Sequence, residues 1–294
     1  MASDDELIAR VAALPCWSGP VEPQPITGGI TNLNCRVRDK GRDCFVRLGA
    51  DMPIHGILRL NEQAAARAAS AAGISPPVIY TAPGVLVTGF VEGMTLKPEQ
   101  LREERRLPAL VDLIGRVHRE MPKHLSGPLL MFWVFQAVRS YARTLRYGNS
   151  RSLARLPALL ESAARLEEEV GPIEVVFGHN DLLAANFIDD GQRLWLVDWD
   201  YAGFNSPLFD LANLASNNEY GAHLEDELLS LYFGKPAKAE LKRRYGAMKC
   251  ASLLREAMWS MVSEIHSEID FDYAAYTEEN LARFEQVYEQ QRSK

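Results

Sequence analysis

The sequence predicts an α+β chain built in two unequal parts: a small sheet with one main helix over the first 90 residues, then a larger and mainly helical remainder. Three observations carry this. Short strand-like runs punctuated by Gly and Pro fill 24–48 and 78–90, with one Ala-rich helical stretch between them. The pattern shifts across 89–93, and helical spacing dominates afterwards. One strand-loop-hairpin interrupts the helices at 175–200, and it holds the densest group of chemistry-bearing side chains in the chain.

Taken in order, Ser3-Asp4-Asp5-Glu6 reads as a capping box that opens a short helix to Leu14. Pro25-Ile26-Thr27, Leu33 to Arg38 and Cys44 to Leu48 read as strands, the first two joined by a Gly28-Gly29 turn. Leu60 to Ala72 is helical and closes at Gly73. Pro76-Pro77 then leads into strands near Val78-Ile79-Tyr80 and Val85 to Phe90. The boundary is placed at residue 90, giving a lobe of 1–90 and a lobe of 91–294, and the cleft between them is the expected ligand site. The longest apolar run, Leu129 to Phe135, reads as a core or interface segment. Internal repeats and low-complexity tracts are absent from the sequence.

Bulk properties exclude several classes. With 47% hydrophobic and 24% charged residues, the 294-residue chain has the composition of a globular protein able to bury a substantial core. A net charge of −7 without a basic run argues against nucleic-acid binding. No apolar run is long enough to cross a bilayer, and the acidic start MASDDELIAR does not read as a secretory signal. Cys16, Cys35, Cys44 and Cys250 form no CxxC pair, so scattered free thiols and a cytoplasmic location are expected.

The chemistry concentrates in VVFGHNDLLAANFIDDGQRLWLVDWD, residues 175–200. Val175-Val176-Phe177 reads as a short buried strand running into a polar loop. Asp181 stands in that loop, and Asn186 ends it after four intervening residues. Asp189-Asp190-Gly191 is a hairpin turn, and Leu194 to Val197 returns Asp198 beside Asn186. Taken singly, Asp and Asn near turns are ordinary turn formers. Together they supply a carboxylate poised to accept a hydroxyl proton, plus an amide and a carboxylate able to share Mg²⁺, a cation that takes one or two protein oxygens with phosphate oxygens and water. Protein kinases carry His-Arg-Asp, four residues, Asn and then a second Asp on a later strand. Here His179-Asn180-Asp181, Asn186 and Asp198 repeat that internal spacing.

On these residues, together with Asp198-Trp199-Asp200-Tyr201, the chain resembles the choline/ethanolamine kinase and aminoglycoside phosphotransferase superfamily. The tail, Met258-Trp259-Ser260-Met261 and Ile269 to Tyr276, resembles the choline kinase branch. The resemblance implies a bilobal protein-kinase-like fold and transfer of the ATP γ-phosphate to choline or ethanolamine, with Mg²⁺ as cofactor. It implies Asp181 as catalytic base and Asn186 with Asp198 as metal ligands. On the donor side it points to Gly28, Gly29, Thr31 and Asn32 as a phosphate loop, and to Arg47 paired with Glu62. Thr88 to Glu92 would be the hinge whose backbone meets the adenine edge. A quaternary ammonium is held by aromatic faces and nearby carboxylates. Asp200, Tyr201, Trp259 and Tyr276 are the acceptor-side candidates, although aromatics at these spacings are also ordinary core. His179 and Asp210 read as structural, organising and bracing the loop. Two positions depart from the branch: Glu256 stands where a second Trp is usual, and Asn217 where an acidic residue is usual. An aminoglycoside or thiamine-type phosphotransferase, and a non-catalytic module that binds nucleotide or amine, stay open as alternatives. So does a homodimer. The expected partners are a small amino alcohol and ATP.

Overall fold

The computed structural model describes residues 4–26, 33–267 and 269–293. Gly28, Gly29, Thr31 and Asn32, as well as Ser3 of the expected capping box, lie outside the described residues.

A helix α1 (Asp4–Ala12) precedes a five-stranded antiparallel sheet of order β1-β2-β3-β5-β4. Its strands are β1 (Gln24–Ile26), β2 (Leu33–Asp39), β3 (Arg42–Leu48), β4 (Val78–Ala82) and β5 (Val85–Gly89). Strict alternation makes the central strands two-faced. Cys35 and Val37 on β2 and Cys44, Val46 and Leu48 on β3 point inward and pack with Val11 of α1 and with Val85 and Val87. The opposite face carries polar groups, among them Arg36.

Between β3 and β4 runs α2 (Arg59–Ala71), and it fastens the sheet to everything that follows. Ala64, Ala65, Ala66, Ala68 and Ala69 are buried on it. Small side chains let a helix approach its neighbours closely, and alanine has no side-chain entropy to lose there. Two amides anchor the ends of this contact. Gln63 Nε2 donates to Ala82 O at 2.7 Å on the sheet, and Asn61 Nδ2 donates to Ala202 O at 2.8 Å on the far side.

The rest is mainly helical. A small sheet β6-β8-β9 combines β6 (Met94–Thr95) with the hairpin β8 (Phe187–Asp189) and β9 (Leu194–Leu196). A second pair joins β7 (Val176–Gly178) to β10 (Gly203–Asn205). Around them pack α3 (Pro98–Leu101), α4 (Leu107–Arg119), α5 (Val134–Tyr147), α6 (Leu156–Val170), α7 (Pro207–Asn217), α8 (Ala222–Phe233), α9 (Ala239–His266) and α10 (Tyr273–Arg292). The 28-residue α9 is the axis of this part and touches α5, α6, α7 and α10. Most of its positions from Tyr245 to Ser263 are buried, as expected of a helix enclosed on several sides. No helix among the described residues is long and apolar enough to cross a membrane.

Two sequence expectations need correcting. Val175 is 53% exposed and lies ahead of β7, so the buried strand is Val176–Gly178. The run Leu129 to Phe135 is not uniformly core, because it lies beside β10 before entering α5. Met131 is 56% exposed, whereas Val134 and Phe135 are fully buried. Phe204 N donates to Leu130 O and Phe132 N to Phe204 O, both at 2.9 Å. This close approach requires Gly203, where an added Cβ would lie 2.8 Å from Leu130 O. Gly203→Ala should therefore cost about 1–3 kcal/mol as backbone is pushed apart. Urea denaturation reads this directly, and a midpoint equal to wild type would show that the 130–132 segment yields freely.

Candidate active site

Three carboxylates and two guanidinium groups meet where β3, α2 and the segment after β9 converge. Arg47 Nη1 contacts Glu62 Oε1 at 2.9 Å, Asp198 Oδ1 at 2.8 Å and Asp200 Oδ1 at 3.1 Å. Arg59 Nη1 contacts Glu62 Oε2 at 2.8 Å and Asp200 Oδ1 at 2.7 Å. The structure thus brings together Arg47 and Glu62, the pair singled out in the sequence, and joins Asp198 and Asp200 to them. Asp200, expected on the acceptor side, belongs to this cluster and also lines a neighbouring cavity. Burial opposes the charged form of Asp198, yet Arg47 overrides it and holds that carboxyl below the usual range. Asp200 is pushed upward by burial and by the charge of Asp198.

Asp198 is placed by the hairpin. Val197 N donates to Asn186 O at 3.0 Å, which registers Asp198 beside Asn186. Asn186 uses its amide nitrogen on Asp181 O at 2.8 Å, which turns its side-chain oxygen away from that carbonyl. Asp198 stays 32% exposed on its side chain and has a left-handed backbone, φ 70°. A non-glycine residue held there is uncommon and marks a backbone constrained by its surroundings. This donor set fits Mg²⁺. The ribbon brings the oxygen-bearing residues Asn186 and Asp198 next to each other, and among the described residues the adjoining cluster sets two guanidinium groups against three carboxylates, a balance that favours an added cation.

The loop carrying Asp181 is braced from α7. Asp210 accepts from His179 N at 2.9 Å and from Asn180 N at 2.7 Å, and its Oδ2 lies 2.9 Å from His118 Nε2. Burial works against its charge, but these donors keep it below the usual carboxylate range. Asn213, one turn along α7, accepts from Leu182 N. Asn180, in the left-handed region at φ 66°, donates to Tyr201 O at 3.0 Å and Gly203 O at 3.2 Å. His179 is fully buried, stacks on Trp199 at 4.7 Å and lies 3.0 Å from Val197 O. Burial lowers its pKa, so it serves as a neutral strut. Asp181 itself is 17% exposed on its side chain. Burial pushes its pKa up to about 8, against the pull of Arg255.

Two cavities flank this centre. One, of about 310 Å³, has apolar walls from Phe45 and Leu86 on the sheet and from Ile188 and Val197 on the hairpin, with Arg47 and Asp198 at its end. Thr88 to Glu92, the expected hinge, lines it as well, together with Gly93. At this site Arg36 lies 4.2 Å over the Phe90 ring and pairs with Asp43 at 2.8 Å and with Glu92. The other cavity, of about 340 Å³, is walled by His55, Phe132, Trp133, Tyr141, Asp200 and Tyr201.

The acceptor-side candidates form a chain of contacts. Trp259 Nε1 donates to Tyr201 Oη at 2.9 Å. Tyr276 Oη donates to Glu256 Oε1 at 2.9 Å, and Glu256 Oε2 accepts from Arg255 Nη1 at 3.0 Å. The Arg255 guanidinium closes the chain 4.3 Å from the Tyr201 ring centre. Sequence reading did not single out Arg59, Arg255, His118 or Asn213, nor Asn205, whose Nδ2 donates to Asn180 Oδ1 at 3.1 Å. Asn213 had a usable signal, three residues after Asp210 and so on the same face of a helix. The two arginines had none, since a buried guanidinium and a surface one look alike in a sequence.

Asp210→Ala strands two buried N–H groups and one histidine, at a cost of about 3–5 kcal/mol. Asp210→Asn keeps the shape and should recover part of it. Chemical denaturation of both variants checks this, and equal midpoints for Ala and wild type would remove Asp210 as the brace.

A family model described as choline/ethanolamine kinase matches residues 24–232. Ethanolamine kinase 2 of Mus musculus is 27% identical over 304 aligned positions, covering 93% of this chain and 77% of that protein. A crystal structure of a choline/ethanolamine kinase family protein from Mesorhizobium loti superposes with a TM-score of 0.78 at 30% identity, covering 96% of this chain and 94% of the other. A LicA structure in complex with AMP gives a TM-score of 0.77 at 19% identity, covering 97% and 100%, and speaks for the fold alone. The kinase-like arrangement of a sheet lobe over a helical lobe is thus common to this chain and its structural neighbours, and with the model match over most of its length the chain belongs to the choline/ethanolamine kinase family.

Proposed function

We propose that this kinase transfers the γ-phosphate of ATP, with Mg²⁺, to the hydroxyl of a small amino alcohol of the choline/ethanolamine class. In this reading residues 1–90 hold the nucleotide and 91–294 supply the catalytic and acceptor-binding groups. The observation that carries it is the convergence of Asp181, Asn186 and Asp198 through two hydrogen bonds of the ribbon, with Arg47 at 2.8 Å from Asp198 beside a cavity of about 310 Å³.

The adenine ring lies between the apolar walls given by Phe45 and Leu86 on one side and Ile188 and Val197 on the other. The glycine-rich segment around Gly28 and Gly29 approaches the phosphates. Arg47, held by Glu62, orients the phosphates in line with the acceptor. Asn186 and Asp198 would hold Mg²⁺, and the ion would supply charge neutralisation at the phosphates. Asp181 accepts a hydrogen bond from the acceptor hydroxyl, aims its oxygen at the γ-phosphorus and takes its proton late. His179 and Asp210 keep the Asp181 loop in place. Catalysis is alignment plus charge neutralisation in a cleft that excludes water.

The size and lining of the second cavity favour a small acceptor over an aminoglycoside, whose several ammonium groups need an open, acidic site. The complete set of Asp181, Asn186 and Asp198 favours catalysis over a non-catalytic nucleotide- or amine-binding module. The free thiols of Cys16, Cys35 and Cys44 support a reducing compartment such as the cytoplasm.

ADP release from Mg-ATP is measured with choline, ethanolamine, thiamine and kanamycin as acceptors. Turnover is expected with the amino alcohols, and turnover with kanamycin alone would replace this reading. Asp181→Ala and Asp198→Ala should each lower kcat about 10³-fold while the circular dichroism spectrum stays that of wild type. Chelation by EDTA should stop turnover, and added Mg²⁺ should restore it. Activity within a few-fold of wild type in either variant would remove that residue from the mechanism.

A further inference from the structure

The acceptor side of the cleft contains a charge that the mechanism above does not use. Arg255, on α9, is 2% exposed, and its Nη1 lies 3.9 Å from Asp181 Oδ1 and 3.0 Å from Glu256 Oε2. Its guanidinium carbon stands 4.3 Å from the centre of the Tyr201 ring and 6.0 Å from that of Phe132. Those are the distances at which an aromatic face holds a cation. Tyr201 is further committed by the hydrogen bond from Trp259, and Tyr276 by its bond to Glu256. The Tyr201 face near Asp181 is therefore already serving a cation that belongs to the protein.

A second observation is independent of the rings. Arg255 Nε and Nη2 are buried and have no hydrogen-bond partner. Unpaired buried donors cost about 1–3 kcal/mol each, and more when charged. Nearby, His55 Nδ1 is also buried without a partner, on a histidine that stacks 5.3 Å from Trp259. The Arg255 guanidinium is thus short of a hydrogen-bond acceptor, which the oxygen of an alcohol ligand can supply.

We propose that Arg255 is a specificity-determining residue that occupies the aromatic face a quaternary ammonium would need, so that the acceptor is a small alcohol whose second polar group forms hydrogen bonds, as a primary ammonium does. The inference rests on the reading that the acceptor hydroxyl meets Asp181. A trimethylammonium group can donate nothing, and its methyls keep its charge away from any carboxylate. Against a resident guanidinium it has repulsion to overcome and finds the Tyr201 face taken. A primary ammonium meets the same repulsion, but it offsets this with short charge-assisted bonds to carboxylate lone pairs such as those of Glu256. Its alcohol oxygen, donating to Asp181, can at the same time accept from Nε or Nη2 of Arg255.

The test is calorimetric titration of the full chain with choline chloride and, separately, ethanolamine hydrochloride, with ADP release followed in parallel. Wild type is expected to bind ethanolamine at least about 10-fold more tightly than choline, and Arg255→Met to tighten choline by a similar factor. Arg255→Lys, which keeps the charge, should continue to exclude choline. Arg255→Gln serves if the Met variant fails to fold, with the same expected direction. Choline binding to wild type as tightly as ethanolamine overturns the proposal. So does an unchanged ratio in Arg255→Met, or the failure of both alcohols to bind wild type. Binding in the expected order without ADP release would instead refute the phosphotransfer reading and leave this assignment standing.

Discussion

The arrangement depends on a buried cluster of five charges. Arg47 comes from the sheet, Arg59 and Glu62 from α2, and Asp198 and Asp200 from the segment that follows the hairpin. Charges removed from water are expensive unless each finds a partner of opposite sign in good geometry. Here Arg47 and Arg59 cannot leave the cluster without exposing Glu62 and Asp200 to a low-dielectric surrounding they cannot tolerate alone. The sheet is thereby held at one distance and orientation from the hairpin. An apolar contact of the same area would tolerate sliding, whereas guanidinium–carboxylate pairs tolerate little. The catalytic geometry follows from this fastening, since Asp198 is both a member of the cluster and a neighbour of Asn186.

A second level of support holds the loop itself. Its backbone N–H groups are donated to side chains of α7 and its neighbours, not to other strands. His179 N, Asn180 N and Leu182 N all find such acceptors. A loop tied this way keeps a half-buried carboxylate on a fixed backbone without being part of a regular sheet. The left-handed φ angles of Asn180 and Asp198 show how closely the chain is constrained on both sides of Asp181.

Much of this was legible in the sequence for a local reason. The Asp189-Asp190-Gly191 turn fixes its own register: Asp190 accepts from Gln192 N and Arg193 N at 2.8 Å, so the return of Asp198 to Asn186 can be read from residues a few positions apart. Arg47 and Glu62 were legible through their place on a strand and the following helix. Arg59, Arg255 and Asn205 were not, because their roles depend on burial, and burial is decided by segments 140 or more residues distant in the case of Arg59 and Asp200. Val175 was misjudged because an apolar residue next to a strand reads the same whether it faces the core or water. The acceptor side was read as an aromatic cage from residue types alone. What the types could not convey is that the rings and Glu256 are already engaged with Arg255.

The two fastenings across the cleft differ in kind. In the inner cluster, Arg47, Arg59, Glu62 and Asp200 are shielded from solvent, and the half-buried Asp198 reaches toward the cavity. On the side facing water, Arg36 bridges to Glu92, whose side chain is 69% exposed. An ion pair in water is worth little and is weakened further by dissolved salt, while one in the interior hardly notices ionic strength. The molecule is thus hinged like a clamshell whose outer clasp is loose and whose spine is stiff. Entry and departure of the nucleotide can occur by parting the outer edge, with the phosphate end left undisturbed through each cycle.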